Sequence, residues 1–220
     1  MKAVIFDMDG VLVDTNPHHK TAWREYYQRF NKELSDDDFV RYVSGKHNTA
    51  IVAHLFGNQS LSEADVKQLS DGKEALFREL YEHHMAPASG LIDFLKALKA
   101  AGIRLAVATS APVENLDFVI DTLNIRSYFD VLLNESLVKH PKPDPEIYEL
   151  AMEKLGVSPD ESVIFEDSTT GIQAAKASGA YVIGVTTTQS EDELLPFVDE
   201  TINDFTDMTA ERLQRLINVF

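Results

Sequence analysis

The chain has 220 residues without a single cysteine, and 20 Lys and Arg against 36 Asp and Glu give it a formal net charge of −16. This charge argues against a nucleic-acid binder and against attachment to an anionic membrane surface, and the lack of cysteine excludes disulfides, thiolate zinc sites and thiol catalysis. No apolar run approaches the roughly 20 residues that span a bilayer, so we expect a cytoplasmic protein, and we also expect a monomer.

Five short apolar runs, rich in β-branched residues, each end in polar residues. Continuous apolar runs without alternation are typical of strands covered on both faces, and they therefore predict a parallel sheet. In chain order the runs are residues 3–6, 103–108, 131–133, 163–165 and 181–185.

Helical periodicities separate these runs. Three of the later helices are predicted to stop near Gly102, Gly156 and Gly179, and an amphipathic pattern ending at Phe220 predicts a last helix. Between the first two runs the chain carries helical patterns only. The alternation predicts an α/β protein, a doubly wound parallel sheet with an inserted all-helical cap. We assign residues 1–15 and 86–220 to the core and residues 16–85 to the cap.

Polar residues collect where the predicted strands end, and doubly wound sheets bind their ligands at this edge. The first run is followed by Asp7 and Asp9, with Gly10 allowing the chain to turn away. One of these carboxylates can be a nucleophile while the other gives and takes a proton, although solvated turn carboxylates remain the alternative. Together with the hydroxyl, ammonium and carboxylate groups at the other strand ends, they suit Mg²⁺, which prefers oxygen ligands.

Four motifs occupy residues 6–15, 107–110, 142–146 and 165–172, with the predicted helical insert after the first. In this order they resemble the haloacid dehalogenase (HAD) superfamily. Within it the chain is similar to the branch of β-phosphoglucomutases and phosphatases. The resemblance covers essentially the whole chain and implies a Rossmann-like core, a helical cap, and Mg²⁺-dependent phosphoryl transfer through an aspartyl phosphate.

The resemblance implies catalytic roles for five residues. Asp7 matches the nucleophile and Asp9 the general acid and base. Thr109 and the backbone N–H of Ser110 match the groups that hold the transferring phosphate. Lys142 matches the lysine that neutralises the charge of nucleophile and phosphate. An alternative register would place His140 at the lysine position, and Lys139 is a further alternative.

The resemblance also implies a set of metal ligands. These are the Asp7 carboxylate, the backbone carbonyl of Asp9 and the Asp167 carboxylate, with Glu166 as a further ligand or as a partner of one. A second acidic residue at Asp9 together with Asp167 favours phosphoryl chemistry over dehalogenation, because the dehalogenases of the superfamily lack both the second acid and the metal.

The cap is expected to select the substrate. Thr15 matches a hinge threonine, His19 a cap histidine and Lys73 a cap lysine, while Lys46 lies in a turn that looks like the specificity loop. Each of these is otherwise a surface residue on a solvated helix. Asn48 stands where mutases carry an arginine that grips a distal phosphate, and a neutral amide binds a dianion more weakly.

The sequence thus predicts a Mg²⁺-dependent phosphatase that acts on small phosphorylated metabolites, above all sugar phosphates. The first alternative is a β-phosphoglucomutase that interconverts β-glucose 1-phosphate and glucose 6-phosphate. A signalling receiver domain also carries acidic, hydroxyl and lysine groups at its strand ends, but the helical insert and the length argue against it.

Overall fold

The computed structural model describes residues 1–43, 48–57 and 61–217, including all their side chains except those of Val40, Leu216 and Ile217. The proposed specificity turn with Lys46 and the apolar residue Phe220 lie outside the described residues. The chain divides into two compact units, a larger unit of Met1–Asp14 with Met85–Phe220 and a helical unit of Thr15–His84.

The larger unit is built on one six-stranded sheet in which every described pair of neighbouring strands is parallel. The strand order is β3-β2-β1-β4-β5-β6, so the prediction of a parallel sheet is confirmed. Only the short last strand was not predicted. The strands are β1 (Ala3–Phe6), β2 (Arg104–Ala108), β3 (Val131–Leu133), β4 (Ser162–Glu166), β5 (Tyr181–Val185) and β6 (Glu200–Ile202).

Helices cover both faces of this sheet. Successive residues of a strand point to opposite faces, so one strand packs against helices on both sides. On one face, Ala3 and Ile5 of β1 belong to an apolar core that includes Ile147 and Ala151. On the other face, Phe6 stacks on Phe165 with ring centres 5.2 Å apart. The helices of this unit are α5 (Leu91–Ala100), α6 (Val113–Thr122), α7 (Glu146–Leu155), α8 (Thr169–Ala177), α9 (Glu191–Leu194) and α10 (Ala210–Ile217).

The helical unit contains no strand among its described residues. Its longest helix begins at a capping box, in which Ser62 and Asp65 satisfy each other's backbone N–H groups. Trp23, Ile51 and Leu76, one from each of three helices, meet in its apolar core. The helices are α1 (Asn16–Gln28), α2 (Asp36–Tyr42), α3 (Asn48–Phe56) and α4 (Glu63–Tyr81). None of the helices in the described ranges has both the length and the apolar character that a membrane span requires.

Candidate active site

Asp7 follows β1 directly and starts the loop on which the site is built. Its backbone N–H donates to the carbonyl of Phe165 on the adjacent β4 strand over 3.0 Å, so the residue stays in register with the sheet. Gly10 turns the chain with a φ of +77°, and a Cβ at this position would overlap the carboxylate of Asp167. The glycine therefore allows the first loop to pass directly against the acidic end of β4.

Lys142 is the cation of the site. Its buried ammonium donates to Asp7 Oδ1 over 2.8 Å and to Glu166 Oε1 over 2.7 Å. The two alternative positions lie elsewhere: Lys139 is exposed, and His140 bonds Glu146 Oε2 over 2.8 Å. The structure thus places Lys142 beside the predicted nucleophile.

Glu166 is anchored through both carboxylate oxygens. Oε1 accepts from Lys142 and from the Tyr148 hydroxyl, while Oε2 accepts from the backbone N–H groups of Asp167 and Ser168 and from the Ser168 hydroxyl. A Cβ at Gly171 would overlap this carboxylate, so helix α8 approaches it as closely as a glycine allows. Because both carboxylate oxygens already accept these bonds, Glu166 is better suited to holding Lys142 than to binding a metal.

Three buried carboxylates cluster at this site, two of them in contact with the lysine. One oxygen each of Asp7, Glu166 and Asp167 lies within 4.8 Å of the others, and the Thr188 hydroxyl donates to Asp167. Three carboxylates against one ammonium leave two negative charges in excess when all are ionised. Asp7 and Asp167 thus bring carboxylate oxygens together beside the anchored Glu166, and Mg²⁺ prefers such oxygen donors, so the residues present fit the implied metal.

The pKa values of these carboxylates reflect the excess charge. Burial, with repulsion from Glu166 and Asp9, raises the pKa of Asp7 to about 7 despite the nearby ammonium. Burial and the charge of Glu166 raise the pKa of Asp167 well above its ordinary value. Burial also opposes the charge on Glu166, but the charge and hydrogen bond of Lys142 outweigh it and lower the pKa of Glu166. A bound cation would stabilise the ionised forms of all three.

The remaining predicted core residues lie at the same edge of the sheet. Thr109 is buried at the end of β2, and its hydroxyl accepts from the backbone N–H of Ala111 over 3.0 Å. Ser110 and Asp9 are half-buried. Asp9 is not among the three clustered carboxylates, yet its charge raises the pKa of both Asp7 and Asp167, which places it near them.

Two residues of this site were not identified from the sequence. Tyr148 lies on α7, where it follows Ile147 and fits the apolar pattern of a packed helix. Thr188 lies in the loop after β5, and its position beyond the end of a buried strand was the signal that could have found it.

In the helical unit, three of the five cap candidates come together around a residue that was not predicted. Lys73 bonds His19 Nδ1 and Glu74 Oε1, both over 2.8 Å, and Asn48 Nδ2 donates to the same glutamate oxygen over 2.6 Å. Lys73 is only 1% exposed, so the alternative of a solvated surface position is wrong for this residue. Its burial is possible because Glu74 balances its charge. Thr15 is fully buried.

Glu74 should make the free energy of unfolding of this protein depend on pH in the acid range. Burial opposes its charge, but Lys73, His19 and Asn48 outweigh burial and lower its pKa from 4.5 to about 2. A lowered pKa in the folded state stabilises the fold above the ordinary pKa and ceases to do so as the pH falls toward the lowered value, here by about 3 kcal/mol.

The wild type is therefore expected to exceed Glu74→Gln in unfolding free energy most at pH 5 and above, with a difference that shrinks toward pH 2. Urea unfolding at stepped pH measures this difference. Glu79→Gln, at an exposed position of the same helix, is the matched control. A difference between wild type and Glu74→Gln that is independent of pH would contradict the prediction.

Comparison with known proteins places this geometry in a family. A model of haloacid dehalogenase-like hydrolases matches residues 4–185. A phosphorylated carbohydrates phosphatase of Thermotoga maritima is 36% identical over 181 residues, covering 81% of this chain and 82% of the relative. A β-phosphoglucomutase of Bacillus subtilis is 27% identical over 220 residues, covering 97% of this chain and 94% of the relative. The crystal structure of a HAD hydrolase, family IA, variant 3, from Entamoeba histolytica matches with a TM-score of 0.91 at 31% identity, covering 99% of this chain and 100% of that one.

The chain belongs to the haloacid dehalogenase-like hydrolase family. The resemblance given by the four sequence motifs is thereby confirmed, as is the α/β fold that it implied. Relatives of this chain include both a phosphatase and a phosphomutase.

Proposed function

We propose that this protein is a Mg²⁺-dependent phosphatase of small phosphorylated carbohydrates that works through an aspartyl phosphate. The observation that carries the proposal is the buried contact of Asp7 with Lys142, beside two further carboxylates at the ends of parallel strands. The name of the Thermotoga maritima relative supports the choice of substrate class. We further propose that residues 16–85 form the cap of this enzyme and residues 1–15 with 86–220 its catalytic core.

In the proposed reaction the Asp7 carboxylate attacks phosphorus while the bond to the sugar oxygen breaks. Asp9 gives a proton to the departing alcohol, then takes one from the water that attacks the aspartyl phosphate and restores Asp7. Thr109 and the Ser110 N–H orient the phosphoryl group, and the Lys142 ammonium balances the charge on its oxygens.

The proposed ligands of Mg²⁺ are the carboxylates of Asp7 and Asp167 and the backbone carbonyl of Asp9, with Glu166 as an anchor beside them. When bound, the ion supplies positive charge that neutralises the phosphoryl oxygens and orients them toward the nucleophile. Three protein ligands would leave positions on the ion for water and for the substrate phosphate.

Removal of the metal should abolish turnover. We expect no release of inorganic phosphate in EDTA, full recovery with Mg²⁺, and inhibition by Ca²⁺, which prefers more ligands and a looser geometry. Thermal unfolding with and without Mg²⁺ should show stabilisation by the ion independently of activity. Full activity in the presence of the chelator would exclude the proposed mechanism.

Substrate choice is assigned to the helical unit. The proposed substrate-binding residues are Thr15, His19, Lys46, Asn48 and Lys73. Two of them already hold Glu74, since Asn48 and Lys73 bond the same carboxylate oxygen. A sugar monophosphate carries only neutral hydroxyls at the end away from its phosphate, and such an end suits a charge-balanced cluster. A bisphosphate suits it less well, because its second dianion needs a cation whose charge is not already balanced.

The test of the proposed function is a panel of sugar phosphates with release of inorganic phosphate as the readout. β-Glucose 1-phosphate with a catalytic amount of glucose 1,6-bisphosphate is the decisive case, because it distinguishes a phosphatase from a β-phosphoglucomutase. We expect inorganic phosphate to form from several sugar phosphates and glucose 6-phosphate to form slowly or not at all. Glucose 6-phosphate formed much faster than inorganic phosphate would establish the mutase instead.

A further inference from the structure

Tyr148 brings a hydroxyl into the buried site, although no step of the proposed reaction uses it. The residue is fully buried on α7. Its hydroxyl donates to Glu166 Oε1 over 2.8 Å and accepts from the Lys142 ammonium over 2.8 Å. That ammonium also lies 4.6 Å from the centre of the Tyr148 ring. The side chain thus contacts the cation of the site with both its ring and its hydroxyl.

The number of hydrogens in this cluster limits how the ammonium can bond. An ammonium group has three N–H donors. Four oxygens lie within hydrogen-bonding distance of Lys142 Nζ, so the ammonium has one acceptor more than it can fully satisfy. They belong to Asp7 at 2.8 Å, Glu166 at 2.7 Å, Tyr148 at 2.8 Å and the backbone carbonyl of Ala108 at 3.1 Å.

The hydroxyl of Tyr148 bonds both Lys142 and the Glu166 carboxylate that holds this lysine. A carboxylate only accepts hydrogen bonds, so the single hydroxyl proton goes to Glu166 while the hydroxyl oxygen accepts from Lys142. The three groups form a closed triangle in which each side chain holds the other two. Asp7 lies outside the triangle, and its bond to Lys142 can be exchanged without moving the nitrogen.

We propose that Tyr148 is a positioning residue, which keeps the Lys142 ammonium in place while one of its N–H groups changes acceptor. When Asp7 bonds to phosphorus and the bond to the sugar oxygen breaks, with a proton supplied by Asp9, negative charge leaves the Asp7 carboxylate. The N–H that pointed at Asp7 then serves the phosphoryl oxygens, and the bonds to Glu166 and Tyr148 keep the nitrogen at its position. This inference rests on the proposed function.

A structural role for the ring has to be separated from this role of the hydroxyl. Tyr148 packs in the same apolar core as Ile147 and Ala151. Tyr148→Phe retains the ring, its packing and its contact with the ammonium, and it removes the hydroxyl alone. Tyr128→Phe, at a half-buried position of the same unit outside the triangle, is the matched control.

We expect kcat of Tyr148→Phe to fall about 10- to 100-fold, as for loss of a hydrogen bond to a charged group, while KM stays within about twofold. Any fall in the midpoint of thermal unfolding should accompany this loss of kcat, and Tyr128→Phe should leave all three quantities unchanged. A kcat of Tyr148→Phe within twofold of the wild type would overturn the proposal. A raised KM or a lowered midpoint at unchanged kcat would equally overturn it, because it would indicate a structural role only.

An NMR measurement of the lysine ammonium groups tests the proposal without any substrate. In protein labelled with ¹⁵N-lysine, the signal of Lys142 is the one that Lys142→Met removes. We expect this signal to shift in Tyr148→Phe and its hydrogens to exchange several-fold faster with water, while the buried Lys73 of the helical unit stays unchanged as an internal reference. An unchanged Lys142 signal would overturn the proposal. A shifted signal in an enzyme that hydrolyses no phosphomonoester would overturn the proposed function alone.

Discussion

Replacement of Asp7 by Asn is expected to lower kcat by at least about a thousandfold, because an amide cannot attack phosphorus and the aspartyl phosphate cannot form. The fold should survive the change. The amide oxygen can still accept from Lys142, and burial already raises the pKa of Asp7 to about 7, so its charge opposes folding in the metal-free protein. Phosphate release and urea unfolding, measured on the same preparation, test both parts of this expectation.

The control for this substitution is Asp14→Asn, which removes a carboxylate from an exposed position shortly after the same strand. It should retain the activity of the wild type. Asp7→Asn with activity within about tenfold of the wild type, equivalent to 1.4 kcal/mol in the barrier, would exclude Asp7 as the nucleophile.

Replacement of Lys142 by Met should affect both activity and stability. The ammonium is the cation that bonds Asp7 and Glu166, so its loss leaves the clustered carboxylates facing one another. Removing one partner of a buried charge pair costs about 3–5 kcal/mol, and the loss of charge balance at the phosphoryl group should lower kcat by about a thousandfold. The destabilisation should be larger in EDTA than in Mg²⁺, because the divalent ion replaces part of the missing charge.

Urea unfolding with and without Mg²⁺ measures this effect. Lys139→Met is the matched control, since it removes a lysine three positions away that is exposed. It should change neither kcat nor stability. If Lys139→Met lost activity while Lys142→Met kept it, the assignment of the catalytic lysine would be wrong.

The sheet could be predicted from the sequence because its strands are buried on both faces. The apolar runs at residues 3–6, 131–133 and 181–185 coincide with β1, β3 and β5. The sixth strand could not be found in this way. Glu200–Ile202 has three residues, and Ile202 alone among them is buried, so its strand character comes from pairing with β5.

The catalytic core could be located for a related reason, since polar residues that follow buried strands of a parallel sheet converge on one edge. That rule brings together Asp7, Lys142 and Asp167, and the family resemblance added the role of each. It could not find Tyr148, whose aromatic ring fits the apolar pattern of α7 while its hydroxyl serves the site. Nor could it find Glu74, which is adjacent to Lys73 in sequence but bonds Asn48 from a position 26 residues away.

The helical unit shows the limit of reading charge from a sequence. A lysine on an amphipathic helix is ordinarily solvated, which favoured an exposed position for Lys73. Its burial depends on three neighbours of the ammonium. The Glu74 carboxylate belongs to the next residue of α4, whereas packing of α1 against α4 supplies the His19 imidazole and the Trp23 ring 5.1 Å away. Sequence spacing alone does not specify such three-dimensional charge balance.

The position of β1 in the middle of the sheet has a consequence for how the protein is synthesised and folded. Ala3 pairs with Arg104 and with Ser162, which follow it by 101 and 159 positions. A ribosome therefore has to deliver most of the chain before this first strand acquires both neighbours, whereas the helical unit is complete far earlier. Closure of such long loops makes the sheet slow to form, and until then an apolar strand is available to associate with other nascent chains. Lys2 and Asp7, which flank it, carry the charges that oppose such association.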